Sequence, residues 1–485
     1  MSIEFRDDSD STEKKILRKF RNVRLSGTYI RDNLMHYRDV FIVHRRDNSQ
    51  TAENYLGGLL ICEKGHANME RMEEEINDGE YRAYQHFISN SKWDYQELIS
   101  RLSLDASNVL NENKKKSGVP TGYLIDESSH LKKGKESVGV SNQYAGVAGK
   151  VDNCQVAVYS SLVNDTRATI INEKLFLPKS WTTSKARCDK AKIPEQNRVY
   201  KTKPELALEM IDEDIERGVE FDWIGGDGLY GHNYQLTKGL DERGKLYVLD
   251  VHKDEKVFLE KPNLFTPEKK NGRGRKPEKL KAEERPCRLD QYSSSLQETD
   301  WEKVKVRKTA KGWLKLKVHV VDVWAWDGQE DQARRRTLVI TKTQDKKPKI
   351  KYSFSNGQSD QYTNKEYAYF QAQRYWVERT FDDSKNELGM SDYQIRKWIG
   401  WHHHQSLVML ASLFLLKEKI ENELEFPLMS VRDARILIIF ELFGTKEQYD
   451  KRLEQMKIRH YNRQKDIDRY YRYEDLWETK TKVVK

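Results

Sequence analysis

The spacing of apolar residues divides the chain into helical and strand-like segments. From Glu13 to Asn113 the apolar positions recur at the spacing of an α-helix. A short helix at residues 68–76, followed by a turn at residues 77–79, is compatible with a helix-turn-helix that binds DNA. It is equally compatible with a small helical bundle. Two stripes carry the helical pattern: Ala52, Tyr55, Leu56, Leu59 and Leu60, and then Tyr81, Tyr84, Phe87 and Ile88.

From Gly122 the pattern changes to short apolar runs typical of strands. The first run, residues 123–125, ends at Asp126, and a polar turn is expected directly after it. A longer run at residues 154–163 predicts a further strand of a hairpin or meander.

A helix and a second set of strands follow. Thr202, with Glu205 three residues later, forms a capping box that predicts a helix ending near Gly218. A strand at residues 221–226 then ends on Asp227. Because a helix and another strand come next, a parallel crossover is expected, and open α/β sheets place their chemistry at such strand ends.

Residues 253–355 have the pattern of an insertion in this α/β body. Their first part, residues 269–285, carries eight basic residues against three acids, which predicts a mobile loop. Arg273 and Arg275 flank a glycine and resemble the arginine hooks that enter an A·T minor groove. With Lys276 they are predicted DNA contacts, and a solvated charged loop is the alternative. Alternating apolar and basic residues from Leu314 to Val320 predict a strand with a cationic outer face, within a small antiparallel sheet.

Helical periodicity returns at Lys365 and continues through an apolar helix at residues 407–420. The tail at residues 461–473 interleaves tyrosine with arginine and lysine. That arrangement suits nucleic-acid contact and suits the packing of an amphipathic helix at least as well.

The composition narrows the class of protein. Charged residues make up 34% of the 485-residue chain and hydrophobic residues 37%, which excludes an integral membrane protein. The start of the sequence has no apolar segment and so predicts no secretory signal. Four cysteines without a C-x-x-C pair indicate neither a disulfide framework nor a zinc ribbon, so a reducing cytosol is expected. The net charge of +9 makes a polyanionic partner plausible.

Candidate chemistry begins with the stretch from Gln371 to Lys385. Arg374, Glu378 and Lys385 are spaced four and seven residues apart, which places them on one broad face of a helix. A carboxylate between two cations suits a site where the acid holds a metal and the cations hold phosphate oxygens. An exposed helix with ordinary salt pairs would show the same spacing.

Two acids upstream favour the metal interpretation. Asp126 and Asp227, each at a predicted strand end, could converge with Glu378 on one point of the sheet. Three carboxylates repel one another unless cations neutralise them, and oxygen ligands of this kind select Mg²⁺ or Mn²⁺. Two such ions, roughly 3.5–4 Å apart, would support phosphodiester chemistry. Residues 402–404, three consecutive histidines, point in different directions on a helix, so packing or a DNA-facing role is expected rather than chelation.

Several segments together resemble the DDE transposases of bacterial insertion sequences, in the group that carries the YREK signature. They occur in order across about residues 45–420: LIDESSHLKKGKESVGVSNQYAG, LPKSWTTSKARCDKAKIP, TKPELALEMI, WIGGDGLYG, and RYWVERTFDDSK through WIGWHHHQSLVMLASLFL. The resemblance implies an α/β, ribonuclease H-like mixed-sheet catalytic core with a β-rich insertion, plus helical N-terminal and C-terminal regions.

The resemblance also assigns residues. Asp126, Asp227 and Glu378 match the DDE triad, and so are the expected catalytic residues and ligands of two Mg²⁺ ions, for which Mn²⁺ could substitute. Arg374 and Lys385 match the arginine and lysine of the signature. Gln371 stands where the family has tyrosine, and all three are expected to contact DNA.

The expected activity is cut-and-paste transposition: cleavage at the transposon ends, then joining of the 3′-hydroxyl to target DNA. The rivals are a catalytically silent DNA-binding descendant and a nuclease without strand transfer. Expected partners are the terminal inverted repeats, target DNA and a second protomer in the synaptic complex, in a cytoplasmic, nucleoid-associated setting without a membrane.

The predicted division of the chain is a disordered start at 1–12, a helical N-terminal domain at 13–116, the core at 117–255, the insertion at 256–355, the helical part of the core with Glu378 at 356–423, and a basic, aromatic tail at 424–485.

Overall fold

The computed structural model describes residues 29–76, 80–268, 278–309, 311–424, 426–443 and 446–483. The predicted disordered start and the turn at residues 77–79 lie outside these ranges. Within them, no helix combines the length and the apolar character needed to cross a membrane.

The N-terminal part is helical, as its apolar stripes predict. Two of its helices begin at side-chain caps: Asn68 accepts hydrogen bonds from two backbone amides at one helix, and Asp94 does so at the long helix that ends this part. The elements are α1 (Tyr29–Met35), a 3-10 turn (Arg38–Phe41), β1 (Ile42–Val43), β2 (Arg46–Asp47), α2 (Ser49–Ile61), α3 (Met69–Glu75), α4 (Tyr81–Ser89) and α5 (Tyr95–Ser117).

The core alternates strands and helices. The predicted capping box of Thr202 and Glu205 is present at the start of its third helix, which confirms that prediction. The elements are β3 (Gly122–Leu131), β4 (Ser141–Ala145), β5 (Lys150–Asn164), β6 (Arg167–Leu175), α6 (Lys179–Thr182), α7 (Lys185–Ala191), a 3-10 turn (Glu195–Asn197), α8 (Lys203–Glu216), β7 (Trp223–Gly226), α9 (Gly228–Gly231), α10 (Tyr234–Glu242) and β8 (Tyr247–Val251).

The order of the core strands is β6-β5-β3-β7-β8. Strand β3 is parallel to β7, and β7 to β8, whereas β5 is antiparallel to both β3 and β6. This mixed sheet confirms the predicted ribonuclease H-like α/β core, and the parallel pairing of β7 with β8 confirms the predicted parallel connection.

Four of the inserted strands join the core sheet rather than forming a sheet of their own, whereas four shorter ones form two separate two-stranded sheets. The last inserted strand, β16 (Ile350–Ser355), pairs antiparallel with β8, so the insertion extends the core sheet to ten strands. The elements are β9 (Lys256–Val257), β10 (Leu264–Phe265), β11 (Lys281–Ala282), β12 (Cys287–Arg288), α11 (Leu289–Ser295), a 3-10 turn (Glu298–Asp300), β13 (Glu302–Thr309), β14 (Gly312–Ala325), β15 (Arg334–Thr343) and β16 (Ile350–Ser355).

Helices close both faces of the sheet. On one face, Asp214 of α8 accepts hydrogen bonds from Tyr123 and Asn172. On the other face, Thr380 bonds to Ser161, and Gln405 bonds to Tyr159, two residues earlier on β5. The C-terminal helices are α12 (Asn364–Gln373), α13 (Tyr375–Glu387), α14 (Trp398–Glu421), α15 (Val431–Phe443) and α16 (Lys446–Val483).

The N-terminal helices share their apolar core with the rest of the molecule. Buried residues of α2 to α5 belong to the same hydrophobic cluster as β3, β5 and α14. The Tyr55 hydroxyl lies 2.9 Å from Nδ1 of His404, and Trp93 stacks on His403 with 3.8 Å between ring centroids. The consecutive histidines are therefore packing residues, which is one of the two roles expected for them; the other was to face DNA.

Candidate active site

Two of the predicted acids lie side by side where two parallel strands stop pairing. The parallel ladder between β3 and β7 ends at Ile125 opposite Gly226, so Asp126 and Asp227 are the next residues on adjacent strands. The prediction that strand β3 itself ends at Asp126 is wrong. Strand β3 continues to Leu131 because its other edge remains paired with β5.

Asp227 is held by the short helix that follows it. Its side chain caps α9, with Oδ1 accepting a hydrogen bond of 2.9 Å from the amide of Leu229. Asp126 accepts a hydrogen bond of 2.8 Å from the amide of Glu127. Both carboxylates are thus oriented by the backbone rather than by mobile side chains.

Glu378 comes from a different element. A single helix was expected across residues 371–385, but the structure breaks it at Arg374 into α12 and α13. The predicted neighbours still meet, since Arg374 Nη2 lies 2.8 Å from Glu378 Oε1. The side chain of Glu378 is about half exposed, at 53%, and so is accessible to a ligand from outside.

All three acids face one cleft. It has a volume of about 760 Å³, and its walls include Asp126, Asp227, Glu378 and the predicted phosphate contact Lys385. The loop between α2 and α3 closes one side with Lys64 and its neighbour.

The Arg374 guanidinium neutralises the charge beside the cleft. Besides Glu378, its Nη1 lies 3.5 Å from Asp126 Oδ2, and its Nε lies 3.1 Å from Oδ2 of Asp250. Burial by itself would lower the pKa of Arg374, but these carboxylates raise it above its ordinary value. The side chain is therefore a permanent cation among three acids.

The two aspartates are not easily ionised together. Burial, and then the nearby charge of Asp227, raises the pKa of Asp126 to about 7. Burial, followed by the charge of Glu127, also raises the pKa of Asp227. A cation bound between such carboxylates would relieve both the desolvation and the repulsion.

The donor set fits a divalent metal. Every acid that lines this part of the cleft offers carboxylate oxygens, which Mg²⁺ and Mn²⁺ prefer over nitrogen or sulfur. Among the residues that the structure describes, no three histidine, cysteine, aspartate or glutamate side chains are already drawn together as a metal cluster. Arg374 contacts one oxygen of each of two predicted ligands, Asp126 Oδ2 and Glu378 Oε1, so a bound cation would compete with its guanidinium for these carboxylates.

Comparison with known proteins identifies the family. A family model described as DDE superfamily endonuclease matches residues 41–312, more than half of the chain. The chain belongs to the DDE superfamily of endonucleases. The matched residues contain Asp126 and Asp227 but end before Glu378, whose assignment rests on its place in the cleft.

Two other proteins are similar to this chain. A probable transposase for insertion sequence element IS701 from Microchaete diplosiphon is 29% identical over 178 residues, which are 36% of this chain. The chain matches 41% of the length of that relative. A cryo-EM structure of a piggyBac transposase synaptic complex with hairpin DNA aligns with a TM-score of 0.38 and 11% identity, over 93% of this chain and 80% of that one. The inferred resemblance to DDE transposases of insertion sequences is confirmed by the family model and the IS701 relative.

The expected DNA contact of Gln371 is wrong. Gln371 is only 3% exposed and faces the inserted strands, where its Nε2 donates to Ser353 Oγ at 2.7 Å and its Oε1 accepts from Thr341. The buried partners leave it no access to a phosphate. Lys385, in contrast, lines the cleft, and burial lowers its pKa below the ordinary value.

Arg273, Arg275 and Lys276 lie outside the described residues, so their assignment as DNA contacts stays a prediction.

Sequence reasoning missed two acids of the site. Glu127 faces the cleft, where Lys203 Nζ and the Tyr230 hydroxyl bond to its two oxygens at 2.8 and 3.1 Å. Asp250 lies on β8, the third parallel strand, beside Arg374. The signal for Asp250 was present in the sequence, because an acid near the end of a predicted parallel strand has the same character as Asp227.

Proposed function

We propose that this chain is a DNA transposase that cleaves transposon ends and joins the freed 3′-hydroxyl to target DNA, in a cut-and-paste reaction dependent on Mg²⁺. The observation that carries the proposal is the convergence of Asp126, Asp227 and Glu378 on one cleft. Asp126 and Asp227 come from adjacent parallel strands of the family's matched segment, and Glu378 comes from a helix packed against that sheet.

The three carboxylates would hold two Mg²⁺ ions, for which Mn²⁺ could substitute. When bound, such a pair activates an attacking oxygen and stabilises a leaving oxygen at phosphorus. Arg374 and Lys385 would bind the phosphate oxygens, the arginine with two donors and the lysine as a point charge. Lys203 and Tyr230 hold Glu127, which limits the negative charge that a DNA phosphate meets.

Double-stranded DNA is the proposed substrate in both steps: the terminal inverted repeats first and target DNA second. The excess of 86 basic over 77 acidic residues favours a polyanionic partner. Joining by direct transesterification needs no ATP. Since two transposon ends must meet, we propose a homodimer in the synaptic complex, acting in the cytoplasm on nucleoid DNA.

Purified protein incubated with its native element ends, target plasmid and Mg²⁺ tests the proposal. The expected products are nicks or breaks at the element ends with free 3′-hydroxyls, followed by strands joined to the plasmid. Cutting without joined strands would indicate the rival nuclease. Binding to the ends without cutting would indicate a catalytically silent DNA-binding protein.

A further inference from the structure

The carboxylate that anchors Arg374 is not one of the three predicted metal ligands. Asp250 Oδ2 lies 3.1 Å from Nε of Arg374, whereas Asp126 and Glu378 contact the terminal nitrogens. The side chain of Asp250 is 17% exposed, and it does not line the cleft. Asp250 therefore contacts the guanidinium at a different nitrogen from the two that face the predicted metal ligands.

Asp250 is itself oriented by the insertion. Its Oδ1 accepts a hydrogen bond of 2.6 Å from Ser353 Oγ on β16, a fully buried hydroxyl. Ser353 in turn accepts a hydrogen bond from Gln371, which also bonds to Thr341 of β15. A continuous polar chain thus connects the inserted strands with Arg374.

The contact between Asp250 and Arg374 is an ion pair rather than an aligned hydrogen bond. Nε of Arg374 is buried and has no hydrogen-bond partner of good geometry, although the Asp250 oxygen is close. Charge alone therefore holds the two groups together. A buried guanidinium that loses its counter-ions is strongly destabilised, so Arg374 must always face at least one carboxylate.

Cations that bind Asp126 and Glu378 would repel the guanidinium and take over its partners. We infer that Asp250 is the positioning residue that retains Arg374 beside the cleft when such cations bind. Ser353 and Gln371 fix the orientation of the Asp250 side chain. This inference rests on the proposed metal site. It gives the insertion a direct role in the geometry of the site, through a residue that need not touch metal or DNA.

The test measures Mn²⁺ affinity of the full chain without DNA, by electron paramagnetic resonance of the free ion. Asp250→Asn keeps the shape and the bond from Ser353 but removes the charge, so Arg374 should stay on Asp126 and Glu378. Mn²⁺ binding should then weaken about tenfold, the lower end of losses caused by removing an outer-shell partner.

A double variant separates positioning from direct ligation. If Asp250 acts through Arg374, Arg374→Gln should remove the competing cation, and adding Asp250→Asn to it should change Mn²⁺ affinity little. Equal weakening in the presence and absence of Arg374 would show that Asp250 is itself a ligand and would overturn the inference. Unchanged affinity in Asp250→Asn would also overturn it.

Two further variants control for a general loss of structure. Ser353→Ala leaves the Asp250 charge in place and should weaken Mn²⁺ binding in the same direction but less. Asp241→Asn removes an acid that pairs with Arg334 and Arg336 on the same sheet, at 3.1 and 2.6 Å, and should leave Mn²⁺ affinity unchanged.

The outcomes also distinguish this inference from the proposed function. Wild-type protein that binds Mn²⁺ with the expected response of the variants, yet never cuts DNA, would contradict the function and support the positioning role. Wild-type protein that binds no Mn²⁺ would contradict the metal site and the positioning role together.

Discussion

At the scale of single residues, the two basic side chains beside the cleft, Arg374 and Lys385, differ in how many carboxylates they can contact. Arg374 uses three nitrogens to contact Glu378, Asp126 and Asp250, an arrangement that the single nitrogen of lysine cannot reproduce. Arg374→Lys should therefore lower the strand-transfer rate by about a hundredfold, the cost of a misplaced catalytic geometry. Lys385→Arg keeps a point charge at the cleft wall and should cost far less. Equal losses in the two variants would contradict this account.

The raised pKa of Asp126 predicts a pH dependence of stability in metal-free protein. In the unfolded chain the pKa is about 4, and in the folded protein it is about 7. Between these values the folded state holds the extra proton, so stability falls as pH rises across this window and levels off above it. Asp126→Asn cannot ionise and should lack this contribution.

Thermal melting in EDTA at pH 5 and pH 8 measures the effect. Wild type and Asp126→Asn should melt at similar temperatures at pH 5, and the variant should be the more stable at pH 8. Mg²⁺ at pH 8 should raise the melting temperature of the wild type more than that of the variant, because a ligand of the folded state stabilises it. A gap that closes, rather than opens, with rising pH would refute the burial of an ionisable Asp126.

Residue types and spacing predicted much of the site, but not its burial. Asp126, Asp227, Glu378 and Lys385 line one cleft, although β3 does not end at Asp126 and the predicted helix is broken at Arg374. The predicted DNA contact of Gln371 was wrong because the spacing of residues on a helix does not reveal that the inserted strands cover the face on which Gln371 lies.

At the scale of elements, the paired lysines of the insertion conflict with stability. Strands β13 and β14 place Lys303 opposite Lys317 and Lys305 opposite Lys315. Like charges directly opposite one another destabilise a sheet. The intervening valines and leucine are buried against α12, so this basic face is the side that a polyanion could approach.

Lys303→Gln with Lys305→Gln should therefore have opposite effects on stability and binding. The free energy of unfolding should rise by at most about 0.2–1 kcal/mol for each relieved pair, because Glu298 already offsets part of the charge of Lys317. The slope of log affinity for DNA against log salt should become shallower by about 0.9 for each lost phosphate contact. Lys346→Gln with Lys347→Gln, in an exposed loop, is the matched control. An unchanged slope in the first pair would assign these lysines to the solvated surface.

The sequence also predicted individual helices and strands more accurately than it predicted how the strands pair. The capping box of α8 and the alternation of β14 are local signals, and both elements are present. The continuation of β3 past Asp126 and the pairing of β16 with β8 depend on partner strands far away in the sequence. Periodicity within one segment carries no information on such pairing.

At the scale of the whole molecule, the N-terminal helices and the catalytic core are interdependent. His403 on α14 lies 2.9 Å from the carbonyl oxygen of Ile88 and 3.0 Å from that of Trp93, in a fully buried contact. A fragment of residues 117–485 would expose this face of α14. It should therefore lack a cooperative melting transition, whereas the full chain should show one. A fragment that melts cooperatively near the temperature of the full chain would show that the predicted boundary separates independent domains.

The cleavage of transposon ends by triad variants tests the central claim most directly. Asp126→Asn, Asp227→Asn and Glu378→Gln are compared with wild type in Mg²⁺ under single-turnover conditions, with DNA binding measured in parallel. Asp383→Asn, on the same helix but paired with Arg379 at 2.6 Å and outside the cleft, is the control. The account predicts that each triad variant binds the ends but does not cut them, while the control retains most of the wild-type rate. Cleavage at the wild-type rate by any one of the three would contradict the assignment of that residue to the catalytic site.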